Sequence, residues 1–310
     1  YIDIFDEDQN ADFLEYAPYD LGKSPRYYNF TVDLGAFEHQ GNPDPLLFSY
    51  VDVNAVGNND GSTWADAFAD LQSALAAAVD GSEIWVAAGT YYPSGDDPAI
   101  SFVVPSGVSV YGGFNSTETS LSQRDPEANI TILDGDSPNF LNSYLVVYIG
   151  GSGNNARLDG FTVSGGSGEF GADNYGGGIK IEGGADPILA NLIIQLNQND
   201  FGAGLYAANS SVTIENSAFL SNSVTNFGTG GAIYTDNAIL KIANSYFNGN
   251  TAWEAGGVYL SNSSSLTAVN IDFDTNSAFG LNGGALEAVD SDVSITNGRF
   301  YDNYGNPGAG

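Results

Sequence analysis

Gly230-Gly231-Ala232-Ile233 is one copy of a small-residue box that recurs through residues 176–310. The copies start 25 to 28 residues apart. The other copies are Gly176-Gly177-Gly178-Ile179, Gly202-Ala203-Gly204-Leu205, Ala255-Gly256-Gly257-Val258 and Gly283-Gly284-Ala285-Leu286, and a sixth begins at Gly308. A repeat of this length is typical of a solenoid, in which each coil packs only on its neighbours.

A second signature, Asn-x-x-(Phe/Ile)-x-x-Asn, recurs with the same period. Its copies are Asn191–Asn197, Asn216–Asn222, Asn244–Asn250, Asn270–Asn276 and Asn297–Asn303. Before this signature and after each box, apolar residues alternate with polar ones, as in Leu240-Lys241-Ile242 and Ile233-Tyr234-Thr235. An alternation with period two predicts short strands that bury one face.

These patterns predict an all-β fold, a parallel β-helix with three short strands in each coil of 25–28 residues. Glycine and asparagine are expected at the corners, because they tolerate positive φ best. The paired asparagines are expected to stack as ladders of side-chain amides along the helix axis. The aromatic residue of the second signature is expected to form one interior file, made of Phe219, Phe247, Phe273 and Phe300.

Residues 1–46 do not match the repeat and end in a Pro/Asp-rich linker, Gly41–Pro45. We interpret residues 47–310 as the β-helix, with its regular coils at about 176–310. An amphipathic helix is predicted at about residues 62–79, starting at Ser62 or Thr63. This helix is expected to cover the open end of the first coil, whereas the last coil of this segment is expected to be uncapped.

The chain is strongly acidic, with a net charge of −31 and only 7 lysines and arginines. Nucleic acids and anionic membrane surfaces are therefore expected to be poor partners, because the protein would repel both. Cysteine is absent, which excludes disulfides and thiol chemistry. This segment also contains no signal peptide and no apolar run long enough for membrane insertion.

One acidic stretch near the start of the chain spaces its side-chain oxygens as a calcium loop does. The oxygens belong to Asp6, Asp8, Asn10 and Asp12. The turn glycine and the closing glutamate of such a loop are both missing, so that a solvated acidic loop is the alternative interpretation. Calcium is the one cofactor that the sequence leaves open, and no other is expected.

The single histidine, His39, offers no basis for a Ser–His–Asp triad or a two-histidine metal site. The best candidates for chemistry are Asp272 and Asp274, which flank the inward-facing Phe273 and lie one coil before Arg299. Two carboxylates beside an arginine could serve an inverting glycosidase or a lyase. A cross-coil ion pair between Asp272 and Arg299 is the alternative, and we favour it because nothing in the sequence raises the pKa of either acid.

Three tyrosines occupy the outward position after successive boxes: Tyr206, Tyr234 and Tyr259. Lys180 and Glu287 flank them in the neighbouring coils. Aromatic rings at coil spacing could form a carbohydrate-binding platform, or they could simply stack on one another. We favour stacking, since neighbouring rings already satisfy the geometry.

Several motifs resemble the opening of large bacterial secreted right-handed β-helix proteins. They are Ser62-Thr63-Trp64-Ala65-Asp66-Ala67-Phe68, Glu83–Tyr91, Tyr111-Gly112-Gly113-Phe114 and Glu118–Asp125. The repeats are similar to those of polymorphic outer membrane proteins, whose hallmarks are Gly-Gly-Ala-Ile and Phe-x-x-Asn; the coil at Ile194 departs from the second hallmark. Asp20–Arg26 and Val32–Glu38 resemble the segment that closes a β-helix in choice-of-anchor surface proteins. The resemblance implies a right-handed β-helix that is secreted and displayed on the outer cell surface, and it carries over no catalytic residues.

We therefore expect a secreted, non-enzymatic β-solenoid with a structural or adhesive role. A closing segment ahead of an opening one, and an uncapped last coil, favour one unit of a head-to-tail or tandem fibre. The expected partners are further copies of this chain, end to end or side by side, or cell-surface glycans. The alternative is a polysaccharide-binding or polysaccharide-cleaving protein that acts at Asp272 and Asp274 or at the tyrosines.

Overall fold

The chain divides into two units, Tyr1–Leu46 and Leu47–Gly310. A computed structural model describes residues 47–93, 97–137, 142–168, 174–280 and 282–306. It also describes two short strands in the first unit, Tyr27–Tyr28 and Thr31–Val32, which pair antiparallel. In the described part of the second unit the strands pair in parallel, coil upon coil, in three sheets.

The largest sheet has fourteen strands and receives strands from two positions of each coil. The first position is occupied by Phe48–Val51, Glu83–Ala87, Ser109–Phe114, Arg157–Asp159, Ile188–Ala190, Ser211–Glu215, Ile239–Asn248, Ser265–Asp274 and Asp292–Tyr301. The second position is occupied by Gly89–Tyr91, Thr131–Asp134, Thr162–Ser164, Ile193–Gln195 and Ala218–Leu220. This sheet therefore runs through the whole described β-helix.

Two further sheets complete the coils. The five-stranded sheet consists of Gln198–Phe201, Ser223–Thr229, Thr251–Ala252, Ser277–Ala278 and Tyr304–Gly305. The seven-stranded sheet consists of Phe102–Val103, Val147–Gly150, Ile179–Glu182, Leu205–Ala208, Ile233–Asp236, Val258–Ser261 and Leu286–Ala288. The last five of these strands each begin at the final residue of a glycine box. Inward side chains alternate with outward ones, as in Ile233–Asp236, where the first and third residues are buried.

The division of each coil into strands differs from the three separate strands that the sequence predicts. In the later coils the first two strands are continuous, and each ten-residue strand bends at one asparagine, such as Asn244 with φ 51° in Ile239–Asn248. Asparagine reaches this left-handed conformation more readily than other residues with a side chain, so that a single residue turns the corner. The five-stranded sheet is an additional set of strands, which period-two alternation did not reveal because three of them are two residues long and a bulge interrupts the pairing of the other two.

The interior of the regular coils contains a phenylalanine file. Its rings stack with centroid separations of 4.9, 4.7 and 5.0 Å and interplanar angles of at most 16°. Its members are Phe219, Phe247, Phe273 and Phe300. The first three side chains are fully buried, as predicted, while Phe300 in the last described coil is 51 % exposed.

The paired asparagines form two ladders, which confirms the predicted stacking of side-chain amides. The inner asparagine file is fully buried through Asn276, and each amide also donates to a backbone carbonyl. Its members are Asn197, Asn222, Asn250, Asn276 and Asn303. The outer asparagine file lies at the corner that precedes the phenylalanines, and its amides bond to one another along the exposed surface. Its members are Asn216, Asn244, Asn270 and Asn297.

The helix α1 is shorter than predicted, spanning Leu71–Ala77 instead of residues 62–79. It begins at Asp70, whose side chain accepts a hydrogen bond from the Ser73 backbone N–H, and not at Ser62 or Thr63. The residues before it are held outside a helix because Phe68 exchanges backbone hydrogen bonds of 2.9 Å with the strand Phe48–Val51 and the residue after it. Among the described residues, no helix has the length and apolar character needed to cross a membrane.

Residues 115–130 leave the coils as a loop between Ser109–Phe114 and Thr131–Asp134. The preceding strand continues through Phe114 across an irregularity in its pairing with Glu83–Ala87. One 3₁₀ turn, Leu121–Gln123, interrupts the loop.

Candidate functional site

Asp272 lies on the outer surface of the largest sheet, because its neighbour Phe273 points into the core. Arg299, in the next coil, donates from Nε to Asp272 Oδ1 at 2.8 Å, and its Nη2 bonds the second carboxylate oxygen. These bonds hold the pKa of Asp272 below its ordinary value, so that this carboxyl group stays ionised. The cross-coil ion pair that the sequence suggested is therefore present.

Asp274 is bonded in the opposite direction, to the preceding coil. Its Oδ2 accepts from Tyr246 Oη at 3.0 Å and from Asn248 Nδ2 at 3.0 Å. Burial raises the pKa of Tyr246, and the bond to this carboxylate raises it further, so that the phenol remains a proton donor. Asp272 thus links its coil to the following one, and Asp274 links the same coil to the preceding one. Together the two carboxylates connect three consecutive coils.

This arrangement of the two aspartates has a chemical consequence. An inverting glycosidase needs one carboxyl group that is protonated near neutral pH, which requires a raised pKa. Asp272 has the opposite shift, because Arg299 stabilises its charge. The geometry therefore suits a pair of links between coils better than an acid–base pair.

The tyrosine column consists of Tyr206, Tyr234 and Tyr259, which are paired in register. The rings of Tyr206 and Tyr234 stack at 5.6 Å with an interplanar angle of 8°, and those of Tyr234 and Tyr259 stack at 5.3 Å and 6°. Because each ring lies parallel to the next, the faces between them are occupied. The column consequently presents ring edges and hydroxyl groups outward, which is poor geometry for stacking a sugar ring.

The hydroxyl groups of the tyrosine column are partly withdrawn from water. Burial raises the pKa of Tyr206, and nearby Asp236 adds to the effect. Burial also raises the pKa of Tyr259 to about 12, with the negative charges of Glu254 and Glu287 acting in the same direction. These phenols stay neutral at physiological pH and act as hydrogen-bond donors and acceptors only.

The predicted calcium ligands Asp6, Asp8, Asn10 and Asp12 lie outside the described residues, as does His39. Within the described ranges, no group of three or more His, Cys, Asp or Glu side chains is placed to hold a metal ion. Calcium binding at the N-terminal acidic stretch stays a prediction.

A groove of about 810 Å³ lies where the loop of residues 115–130 faces the corner of successive coils. Its loop side includes Arg124, Pro126 and Glu127, and its coil side includes Asn191 and Asn216. Sequence reasoning did not find this groove. The available signal was that Arg124 is one of only 7 lysines and arginines in the chain.

Arg124 fixes the position of this loop. Its Nη2 forms an ion pair with Asp159, and its Nη1 donates to the Gly112 carbonyl at 3.1 Å. Asp159 has a side chain only 2 % exposed, and it also bonds Arg157 Nε at 2.9 Å and Asn191 Nδ2 at 2.7 Å. A buried carboxylate with two cationic partners and an amide is strongly tied to its surroundings, so that the groove is preformed.

Residues 198–310 match the family model described as "Right handed beta helix region". No curated protein sequence matches the chain. Its fold is similar to those of several solved structures, each at low identity. The pectate lyase Pel9A is 15 % identical over 84 % of this chain and 81 % of that one, with a TM-score of 0.43.

Two other solved structures are similar at a comparable level. An alginate lyase from Paenibacillus sp. str. FPU-7 is 13 % identical over 83 % of this chain and 98 % of that one, with a TM-score of 0.35. A pectin methylesterase from Aspergillus niger is 17 % identical over 87 % of this chain and 92 % of that one, with a TM-score of 0.30. At these values none of the three indicates what this chain does. The family match over residues 198–310 and the stacked parallel coils together support a right-handed β-helix fold.

Proposed function

We propose that this chain is a secreted or surface-displayed β-solenoid with a structural and adhesive role, and that it is not an enzyme. One observation carries the proposal: the outer side chains best suited to chemistry bond one coil to another. Asp272 joins its coil to Arg299, and Asp274 joins the same coil to Tyr246. Side chains used in this way stiffen a rod.

The interior supports the same role. Along the inner asparagine file every amide bonds the next coil, and the phenylalanine file packs beneath it. In a solenoid these contacts between neighbouring coils supply most of the stability, so that their continuity favours a stiff element. We propose that such rods associate end to end or as tandem units.

Helix α1 has a part in this proposal. Its buried residues are Leu71, Ala74 and Leu75, and it packs against the strands Phe48–Val51 and Phe102–Val103. We propose that it covers the first coil and so keeps the open strand edge from pairing with other chains.

The proposal is tested with the whole chain and a panel of neutral and acidic polysaccharides. Release of reducing ends and of unsaturated sugars is measured against a heat-denatured control, and electron micrographs of the native material are recorded. The expected result is no product and rod-shaped or filamentous particles. Product release that Asp272→Asn or Asp274→Asn abolishes would overturn the proposal.

The preformed groove beside Arg124 favours a second candidate, a polysaccharide-binding or polysaccharide-cleaving protein. Its volume of about 810 Å³ is in the range of ligand-binding clefts. Ser122 lies in the lining, so that Ser122→Trp fills the groove, whereas Ser152→Trp adds the same bulk to an exposed turn of another coil. Loss of polysaccharide binding or cleavage in Ser122→Trp alone would support this candidate, and equal behaviour of the two variants would exclude it.

A further inference from the structure

An aromatic patch lies at the edge of the five-stranded sheet, and its members are Phe227, Trp253 and Phe279. The phenylalanines are among the most exposed large apolar side chains described, at 76 % and 58 %. The residue Trp253 lies between them along the axis: its backbone N–H donates to Gly228 O, and Gly280 N–H donates to its carbonyl. Each member therefore comes from a different coil, at the same corner.

The sequence places an aromatic residue at this corner in successive coils. In the two coils of 28 residues, the dipeptides Phe227-Gly228 and Phe279-Gly280 shortly precede the glycine box. Extra residues in a repeat protein tend to be placed on one face, which is often the binding face. The length difference between coils is the signal from which the patch could have been found.

The bulge that carries Phe227 has a defined conformation. Between Asn199 and Phe201 the pairing shifts, because residues 225–228 of the partner strand stand opposite the single residue Asp200. Asp200 Oδ1 accepts from Thr225 Oγ1 at 2.6 Å and from Asn226 Nδ2 at 2.8 Å. A Cβ atom at Gly228 would lie 1.7 Å from the Asp200 carbonyl oxygen, so that only glycine permits this approach. Bulges of this kind re-aim a side chain, and here the side chain is an exposed phenyl ring.

The rings of the patch are open to a ligand, in contrast to those of the tyrosine column. Phe227 and Trp253 meet at 4.9 Å and 85°, an edge-to-face contact that leaves other ring faces uncovered. The backbone of Gly280 lies against the indole, where a Cβ would come within 2.1 Å of Cε2, and supports the ring from one side. Asn226, which directly precedes Phe227, and its partner Asp200 supply an amide and a carboxylate at the same bulge.

We propose that the aromatic patch binds a neutral polysaccharide, with sugar rings stacked on the exposed faces of Phe227, Trp253 and Phe279. This inference rests on the adhesive part of the proposed function and names its surface and its ligand. The net charge of −31 selects against polyanions, and against a second copy of this acidic chain laid side by side on the patch. The apolar C–H faces of sugar rings match aromatic faces, and the hydroxyls match the amide and carboxylate beside them. An exposed apolar patch on a rigid support is the usual mark of such a contact surface.

The test measures binding of the full chain to insoluble neutral polysaccharides by sedimentation, with soluble acidic polysaccharides as competitors. The double variant Phe227→Ala/Phe279→Ala is compared with Val56→Ala, which removes an apolar side chain that is 97 % exposed elsewhere. We expect at least a tenfold loss of affinity in the double variant, none in the control, and no competition by polyanions. Trp253→Phe keeps an aromatic face and is expected to retain binding while losing any change of indole fluorescence on binding.

The outcomes separate this inference from the function on which it rests. If the double variant binds polysaccharide as well as the unchanged chain does, the aromatic patch is not the binding surface, while the adhesive role stands. Competition by polyanions would contradict the neutral polysaccharide as the ligand of the patch. Concentration-dependent self-association that the double variant abolishes, measured by sedimentation velocity, would instead make the patch an interface between copies of this chain and would also contradict the inference. Polysaccharide cleavage by the chain would instead contradict the proposed function, whether or not the patch binds.

Discussion

The inner and outer asparagine files contain the same amino acid at the same period, yet the structure uses the two in different ways. Every described outer asparagine has a positive φ, such as 51° at Asn244, whereas none of the inner ones does. The inner amides are buried and bond both the next amide and a backbone carbonyl, as Asn250 Nδ2 does with Asn276 Oδ1 and Phe219 O. The outer file thus uses asparagine because this residue tolerates a positive φ, and the inner file uses it because its side-chain amide forms buried hydrogen bonds.

The environment explains this difference. A buried polar group without a partner costs about 1–3 kcal/mol, whereas water can replace a lost partner at the surface. Replacing an outer asparagine therefore mainly changes the conformational energy of the corner. Four predictions test this contrast between inside and outside.

Phe247→Ala is expected to have the largest effect, because it removes a fully buried ring from the middle of the phenylalanine file. Truncating a buried phenylalanine destabilises a protein by about 3–5 kcal/mol. Urea unfolding measures the loss, and hydrogen exchange locates it in the neighbouring coils. Phe300→Ala is the control, since that ring is half exposed and its removal is expected to cost much less.

Asn250→Ala is expected to destabilise the protein by about 3 kcal/mol, because it leaves the buried Asn222 N–H and the Phe219 carbonyl without partners. Asn250→Gly is expected to destabilise the protein at least as much, because Asn250 does not have a positive φ and glycine therefore relieves no backbone strain there. The same unfolding measurement applies. A loss below about 1 kcal/mol would show that the inner asparagine file does not hold the coils together.

Asn244 provides the matched outer position, where backbone conformation decides the result. Asn244→Gly is expected to be nearly neutral, because glycine adopts positive φ freely. Asn244→Ala is expected to lose about 1–2 kcal/mol, since alanine is strained at this φ. Equal stability of the two variants would mean that the side-chain ladder, and not the corner, matters here.

Asp272→Asn is expected to have the smallest effect, because its partner Arg299 is largely exposed and salt screens the pair. The pKa of Asp272 is lowered in the folded state, so that its contribution is present above the ordinary value of 3.8 and is lost as the pH falls below that value. Melting curves of both proteins are therefore expected to converge at low pH and in high salt. A difference that does not shrink as the pH is lowered below 3.8 would contradict the assignment of the effect to this ion pair.

Much of the fold followed from local patterns. Alternation around Phe247 predicted its inward direction, and the regular spacing of the signature predicted that Phe219, Phe247 and Phe273 would stack. The helix was predicted to start too early and to be too long. The spacing of apolar residues around Phe68 is that of an amphipathic helix, but the backbone of Phe68 pairs with a strand. Propensity could not reveal that competition, since the strand lies well before it in the chain.

The candidate sites were less predictable than the fold. Asp272 and Arg299 were correctly paired because they are one period apart and therefore neighbours in space. Arg124 and Asp159 were not, because they are separated by 35 residues in a region without regular repeat length. The aromatic patch likewise depends on a bulge, whose direction no periodicity encodes.

The amino-acid sequence by itself determined the solenoid, its period and the inward side of each regular strand, because these depend on spacing that every coil repeats. Only the tertiary structure decided that a loop closes a groove beside Arg124 and that Phe227 projects beside Trp253. The physical reason is that repeated residues meet their own copies at a known distance along the chain. Residues in insertions meet partners that are set by how the inserted backbone satisfies its hydrogen bonds, and that is decided in three dimensions.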